Sequence, residues 1–208
     1  MKHIAAIILA AGSAKRFGGN KLLEPLTLGE ITMPMLAHSI KPWLLVFEHI
    51  NVVINAESET LVKLVSKSLP EVAQQVRWLL CENAHIGMGI SLSLGVRLNA
   101  EADGWLIGLG DMPLIPAPVI NDVKQALIDG AVIAAPYHHK QRGHPVGLSA
   151  KYHNELIHLQ QDSGAKEILA RDHAAITHIV YDQIGIQTSI QTGIFVDIDT
   201  KEDLAQKF

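Results

Sequence analysis

Ile4-Ala5-Ala6-Ile7-Ile8-Leu9 runs directly into Ala10-Ala11-Gly12-Ser13-Ala14-Lys15-Arg16-Phe17-Gly18-Gly19-Asn20-Lys21, and this junction decides the fold. A short apolar run rich in Ile suits a strand buried on both faces. The loop behind it lets backbone N–H groups come close to a ligand, because Gly12 has no Cβ and Ala10 and Ala11 carry only methyls. Lys15, Arg16 and Lys21 add three cations in a chain whose formal net charge is −4. The loop therefore suits an anion, and a phosphate above all. It matches neither common phosphate loop: five residues separate Gly12 from Gly18, Leu22 follows Lys21, and the G-x-G-x-x-G spacing is absent. The competing plain reading is a βα turn with solvated Lys and Arg. A secretory signal fits poorly, since the apolar stretch is short and runs into Lys15 and Arg16.

The rest of the composition narrows the class. A chain of 208 residues with 48% hydrophobic and 18% charged residues is expected to form one domain over 1–208 with a sizeable core. No apolar run approaches the roughly 18–20 residues that span a bilayer, so no membrane is expected. Net negative charge, with no basic tract beyond the first loop, argues against nucleic acid. A single cysteine, Cys81, excludes an internal disulfide and fits a reducing cytoplasm.

Apolar runs alternate with amphipathic stretches along most of the chain. Strands are expected at Ile4–Leu9, Ile50–Ile54, Val76–Leu80, Trp105–Leu109, Ala131–Ala135, Ile176–Tyr181 and Ile194–Ile198. Helices are expected at Met35–Phe47, Ser58–Ser68, Gly89–Ala100, Pro118–Ile128, Ala150–His158, Gly164–Arg171 and Lys201–Lys207, with Pro42 kinking or splitting the first. This order predicts an α/β fold with a mostly parallel sheet covered on both sides. The shorter pieces of the last third suggest a lobe beside the sheet.

Ligands of such sheets sit at the carboxyl ends of the strands. There the first loop meets Gly110-Asp111-Met112-Pro113, which follows the strand at Trp105–Leu109. A strand at Ile194–Ile198 would add Asp197 and Asp199 on one face. Carboxylates facing a triphosphate call for a divalent cation between them, and Mg2+ is the usual one. Asp111 also suits a turn or helix cap, and Asp199-Thr200 followed by Glu202 and Asp203 suits a helix start.

Taken in order, the motifs resemble the MobA-like nucleotidyltransferases, and within them the molybdenum cofactor cytidylyltransferase type. Leu9-Ala10-Ala11-Gly12 with Arg16, Phe17, Gly18 and Lys21 is similar to the family's opening signature. Gly87-Met88-Gly89 with Ser91-Leu92, then Gly110-Asp111-Met112-Pro113, then Gly143-His144-Pro145-Val146 follow. Asp162-Ser163-Gly164-Ala165-Lys166 and Asp197-Ile198-Asp199-Thr200 with Asp203-Leu204 complete the series. The resemblance implies a Rossmann-like three-layer sandwich of the nucleotide-diphospho-sugar transferase type. It implies transfer of a nucleoside monophosphate from an NTP to a phosphate monoester, with release of pyrophosphate.

By the same resemblance, Arg16 and Lys21 hold the β- and γ-phosphates, and Asp111 with Asp197 and Asp199 binds Mg2+. Leu9, Ala10, Ala11, Gly12 and Ser13, with Gly87 and Ser91, frame the nucleotide. His144, Pro145, Asp162, Gly164 and Lys166 face the acceptor. Ala11 resembles the cytidylyl type, which favours CTP over GTP, although one methyl is worth only roughly 1–3 kcal/mol in a pocket. The implied acceptor is a molybdopterin bearing its terminal phosphate, with a molybdoenzyme or cofactor chaperone receiving the product. Gln161, Lys166 and Asn20 depart from the pattern, which commonly has Gly, Arg and Asp there.

Rival readings are a guanylyltransferase of the same cofactor, a sugar-phosphate nucleotidyltransferase, and a non-catalytic nucleotide sensor or pterin chaperone. Eleven histidines invite a metal reading, but no His-Glu-x-x-His is present. The densest group, His138-His139 with His144, is read as turn and surface residues.

Overall fold

The computed structural model describes residues 2–12, 17, 19–160, 164–182, 193–198 and 200. Strand β1 (Ile4–Leu9) is buried along its whole length. After it come a hairpin of β2 (Pro25–Leu28) and β3 (Ile31–Pro34), then helix α1 (Met35–Leu44) and β4 (Ile50–Ile54). Helices α2 (Glu59–Ser68) and α3 (Val72–Gln75) lead to β5 (Val76–Leu80), and α4 (Met88–Arg97) leads to β6 (Gly104–Leu109). The remainder comprises α5 (Ala117–Ile128), β7 (Ile133–His138), β8 (Gln141–Arg142), β9 (Val146–Ser149), α6 (His153–Leu156), α7 (Lys166–Arg171) and β10 (Ile176–Val180).

The main sheet has eight strands in the order β10-β7-β9-β6-β1-β4-β5, with β8 paired to β7. β1 lies parallel to both β4 and β6, β4 is parallel to β5, and β10 is parallel to β7. β9 runs antiparallel between β6 and β7. Two cores form because strand side chains alternate. Ala6, Ile8 and Ala10 face α1, α2 and α5 through Ile40, Trp43, Leu61, Val65, Val123 and Leu127. Ala5, Ile7, Leu9 and Ala11 face the other layer, with Leu92, Val96, Leu156 and Leu169. The mostly parallel, doubly covered α/β sheet is the predicted one.

Four expectations need correction. Residues 194–198 form no strand. Ile194 and Ile198 are both fully buried, but the backbone bonds individually to loops rather than to a ladder. Among the described residues the last third forms no separate lobe: β9 and β10 continue the same sheet beside β7. Of these, β9, four residues with a glycine among them, gives no strand signal in the sequence.

Pro42 does not split α1, which runs on to Leu44. A proline in the last turn forfeits one helical hydrogen bond near an end that stops anyway. The helix expected over Ala150–His158 resolves into a 3-10 turn at Ala150–Tyr152 and the short α6. The helix expected at Lys201–Lys207 lies outside the described residues.

Candidate active site

The parallel pairing of β1 with β6 places Leu9 opposite Leu109, so the residues just beyond each strand meet. Gly110 N–H donates to the Leu9 carbonyl at 2.9 Å, and Ala10 N–H donates to the Val53 carbonyl at 2.8 Å. Asn55, the first residue past β4, donates from Nδ2 to the Ala11 carbonyl at 3.2 Å. Its own Oδ1 is held by the Glu57 N–H and the Ser58 hydroxyl. From α1, Ser39 Oγ donates to the Gly110 carbonyl at 2.7 Å. Sequence reasoning missed Asn55 and Ser39; the only signal was a polar residue closing a buried run and another inside an apolar helix.

These bonds hold the first loop and the Asp111 turn side by side. Asn20 caps the short 3-10 turn at Lys21–Leu23 by accepting the Leu22 N–H. Lys21 Nζ then reaches Asp111 Oδ2 at 2.7 Å, with the two side chains only 12% and 21% exposed. Phe17 is buried in the core. A cation and a carboxylate 90 residues apart in sequence thus pair at the carboxyl edge of the sheet.

The return segment packs onto this pair. Ile198 N–H donates to the Asp111 carbonyl, and His144 N–H donates to the Ile194 carbonyl. Gly143 permits the approach: a Cβ there would stand 2.8 Å from the Ile194 backbone oxygen. Residues 193–198 therefore lie between the Asp111 turn and Gly143–His144, with Asp197 exposed between the two buried isoleucines. On the far side Gly87, at φ 153°, opens α4. Gly164 lies beside Met88, its notional Cβ 3.4 Å from Sδ, so the two glycine motifs are neighbours. Ser91 is buried, and its hydroxyl lies 3.8 Å from Cys81 Sγ, turned to the interior. Lys166 is exposed at the start of α7. Ser13, Arg16, Asp162 and Asp199 lie outside the described residues.

His144 has a distinct electrostatic setting. Its Nδ1 is buried without a hydrogen-bond partner. Burial, reinforced by the positive charge of Arg142 and only partly opposed by Asp197, lowers its pKa from 6.5 to about 4. The ring is neutral at pH 7. An unfolded chain takes up this proton as pH falls below 6.5, whereas the native protein does so only near 4. Stability is therefore intact above pH 6.5 and declines as pH falls toward 4, by about 3 kcal/mol for this group. Urea unfolding of wild type and His144→Gln across pH 4 to 7.5 tests this. A flatter profile in the variant is expected, and parallel profiles would remove His144 as the source.

A sheet edge of this kind belongs to the α/β proteins that take nucleotides at the carboxyl ends of their strands. Residues 6–176 match the MobA-like NTP transferase domain, and the chain belongs to that family. It is 34% identical over 124 residues to the purine catabolism protein PucB of Bacillus subtilis (strain 168), a match covering 57% of this chain and 58% of that protein. In fold it is similar to Rv0371c from Mycobacterium tuberculosis H37Rv, with TM-score 0.76, 19% identity, and 99% and 96% of the two chains covered. Rv0371c has also been solved in complex with manganese. A further neighbour is the 4-diphosphocytidyl-2C-methyl-D-erythritol synthase of Anaerococcus prevotii DSM 20548, with TM-score 0.70 and 15% identity over 98% and 93% of the chains. Identities this low establish the shared nucleotide-diphospho-sugar transferase fold and nothing finer.

Proposed function

We propose that this protein, acting as one nucleotidyltransferase domain, transfers CMP from CTP to the terminal phosphate of a molybdopterin-type acceptor and releases pyrophosphate. The observation that carries the reading is the Lys21–Asp111 pair, 2.7 Å apart beside the small-residue loop, in a chain of the MobA-like family. Ala11 supports CTP, as does a structural neighbour whose name includes a cytidyl group.

The chemistry asks little of the protein as a nucleophile. An acceptor phosphate with a second pKa near about 6 is largely a dianion at neutral pH and attacks the α-phosphorus itself. The protein positions the two substrates and neutralises the leaving pyrophosphate. Lys21, and by the family resemblance Arg16, is suited to that second task.

Asp111 and Asp197 are hard oxygen donors on segments joined by the Ile198–Asp111 hydrogen bond, a donor set that fits Mg2+ or Mn2+. Together with Asp199 they would hold the ion. Such an ion supplies positive charge along the triphosphate and polarises the α-phosphoryl group. Neutral His144 would offer the acceptor a hydrogen bond rather than a charge, and the family resemblance adds Pro145, Asp162, Gly164 and Lys166 to the proposed acceptor site.

Thermal unfolding with CTP, GTP, ATP or UTP, each with and without Mg2+, tests the nucleotide. A native-state ligand at 100 times its Kd adds about 2.7 kcal/mol, a rise of roughly 5–10 °C at this chain length. A Mg2+-dependent rise with CTP is expected. A rise with GTP instead moves the assignment to the guanylyl branch, and no rise with any nucleotide removes the reading. Pyrophosphate release with molybdopterin but not with sugar 1-phosphates then separates the acceptors.

A further inference from the structure

His138 closes β7, and His139 opens the two-residue turn into β8. Neighbouring side chains of an extended chain point to opposite faces. His139 and Lys140 instead take φ 47° and 65°, which breaks the alternation. The two imidazoles come together with ring centroids 3.9 Å apart. Asp182 arrives on the other chain segment. β10 runs parallel to β7 with Val180 opposite Tyr137, and Tyr181 N–H donates to the Tyr137 carbonyl at 2.9 Å. The next residue is therefore delivered to the turn. Asp182 Oδ1 accepts the His139 N–H at 2.8 Å and stands 3.0 Å from His138 Nδ1. That nitrogen is shielded from solvent and makes no aligned hydrogen bond. One donor atom from each of the three residues lies within 4.8 Å of the others. His144, grouped with the pair in the sequence, is not a member of this cluster.

We propose that His138, His139 and Asp182 bind a divalent late first-row transition-metal ion, with Zn2+ as its type. Two imidazoles and one carboxylate suit Zn2+ far better than Mg2+, which prefers an all-oxygen shell. Metal–ligand bonds of about 2.0–2.2 Å require the donors to close in by small side-chain rotations. His139 and Asp182 are exposed and free to make them, whereas the less exposed His138 provides the fixed corner. Water or an incoming ligand completes the shell. An ion here would cross-link the turn after β7 to a residue 43 positions away from His139. It would also stiffen the neighbourhood of Phe195, whose ring is 6.4 Å from His138 in the segment carrying Asp197. The site shares no residue with the Lys21–Asp111 pair, so it stands or falls apart from the nucleotidyltransferase reading.

Equilibrium dialysis of the whole protein against Zn2+ in excess Mg2+, without nucleotide, tests the proposal. One Zn2+ per chain is expected, with a higher melting temperature in its presence. His139→Ala and Asp182→Asn should each weaken binding at least about tenfold, the loss that even an outer-shell change can cause. His85→Ala, an exposed histidine elsewhere, should bind as wild type does. Circular dichroism checks that each variant is folded, and the exposed positions of His139 and Asp182 make them safer replacements than His138. Co2+ should give a visible absorption band in wild type that His139→Ala loses. No bound Zn2+, or equal binding by wild type and both site variants, overturns the proposal.

Discussion

Asp111→Ala is expected to abolish turnover, a loss of at least about a thousandfold, while the protein stays folded. The carboxylate is the partner of Lys21 at 2.7 Å and one of the proposed metal donors, so its removal strips both the cation's orientation and the ion's seat. The fold should survive because the structural bond at this residue is made by its backbone: the Asp111 carbonyl accepts the Ile198 N–H. Lys21 would lose this carboxylate, but the pair is partly exposed and solvent helps to screen the cation. Pyrophosphate release and a melting curve, measured side by side, separate the two effects. Retention of most activity would take Asp111 out of the reaction. Loss of activity together with a collapsed melting transition would instead make it a structural residue.

Trp43→Ala should lower stability by about 3–5 kcal/mol, a fall of roughly 10 °C in melting temperature at this chain length. Trp43 is 2% exposed, stacks on Phe47 with centroids 6.1 Å apart, and lies over Gly108 of β6. A Cβ on Gly108 would fall inside the indole, with Cη2 2.9 Å away. The glycine and the tryptophan are therefore one fitted pair joining α1 to the strand that carries Asp111. Truncating the ring leaves a cavity between helix and sheet. Gly108→Ala errs in the opposite direction by overfilling the contact, at about 1–3 kcal/mol. Denaturant unfolding of both variants checks the pair. A near-neutral Gly108→Ala would mean that α1 shifts easily, and the claim that it positions the site through Ser39 and Gly110 would weaken.

The parts of this protein legible in its sequence are those where one physical rule acts alone. Ile4–Leu9, Ile50–Ile54 and Val76–Leu80 are strands with the predicted ends, because short runs dominated by apolar and β-branched residues are best buried as strands. The sequence places Lys21 and Asp111 at one sheet edge, because each follows such a strand, but their 2.7 Å contact is read from the structure alone. Ile194–Ile198 misled because Ile-Phe-Val-Asp-Ile is a short apolar, β-branched run, the composition of a buried strand. Its two isoleucines are instead buried as separate plugs, with Ile198 bonded to Asp111 and Ile194 to His144. β9 has only four residues, one of them glycine, too short to announce an antiparallel strand between β6 and β7. That strand brings His144 and Pro145 to the carboxyl edge, since the residues preceding an antiparallel strand lie where those following a parallel one do.

Local sequence alone determined the alternation of strands and helices, the doubly covered sheet and the small-residue loop with its lysine. These follow from burial of apolar runs and from the reach of the backbone where side chains are small. Tertiary structure alone decided which distant groups meet. The neutral state of His144 depends on its burial, with the opposing charges of Arg142 and Asp197 around it. The meeting of His138, His139 and Asp182 depends on the β7–β10 register and a left-handed turn. Neither has a signature in sequence spacing, because each is set by long-range strand pairing rather than by the conformational preferences of neighbouring residues.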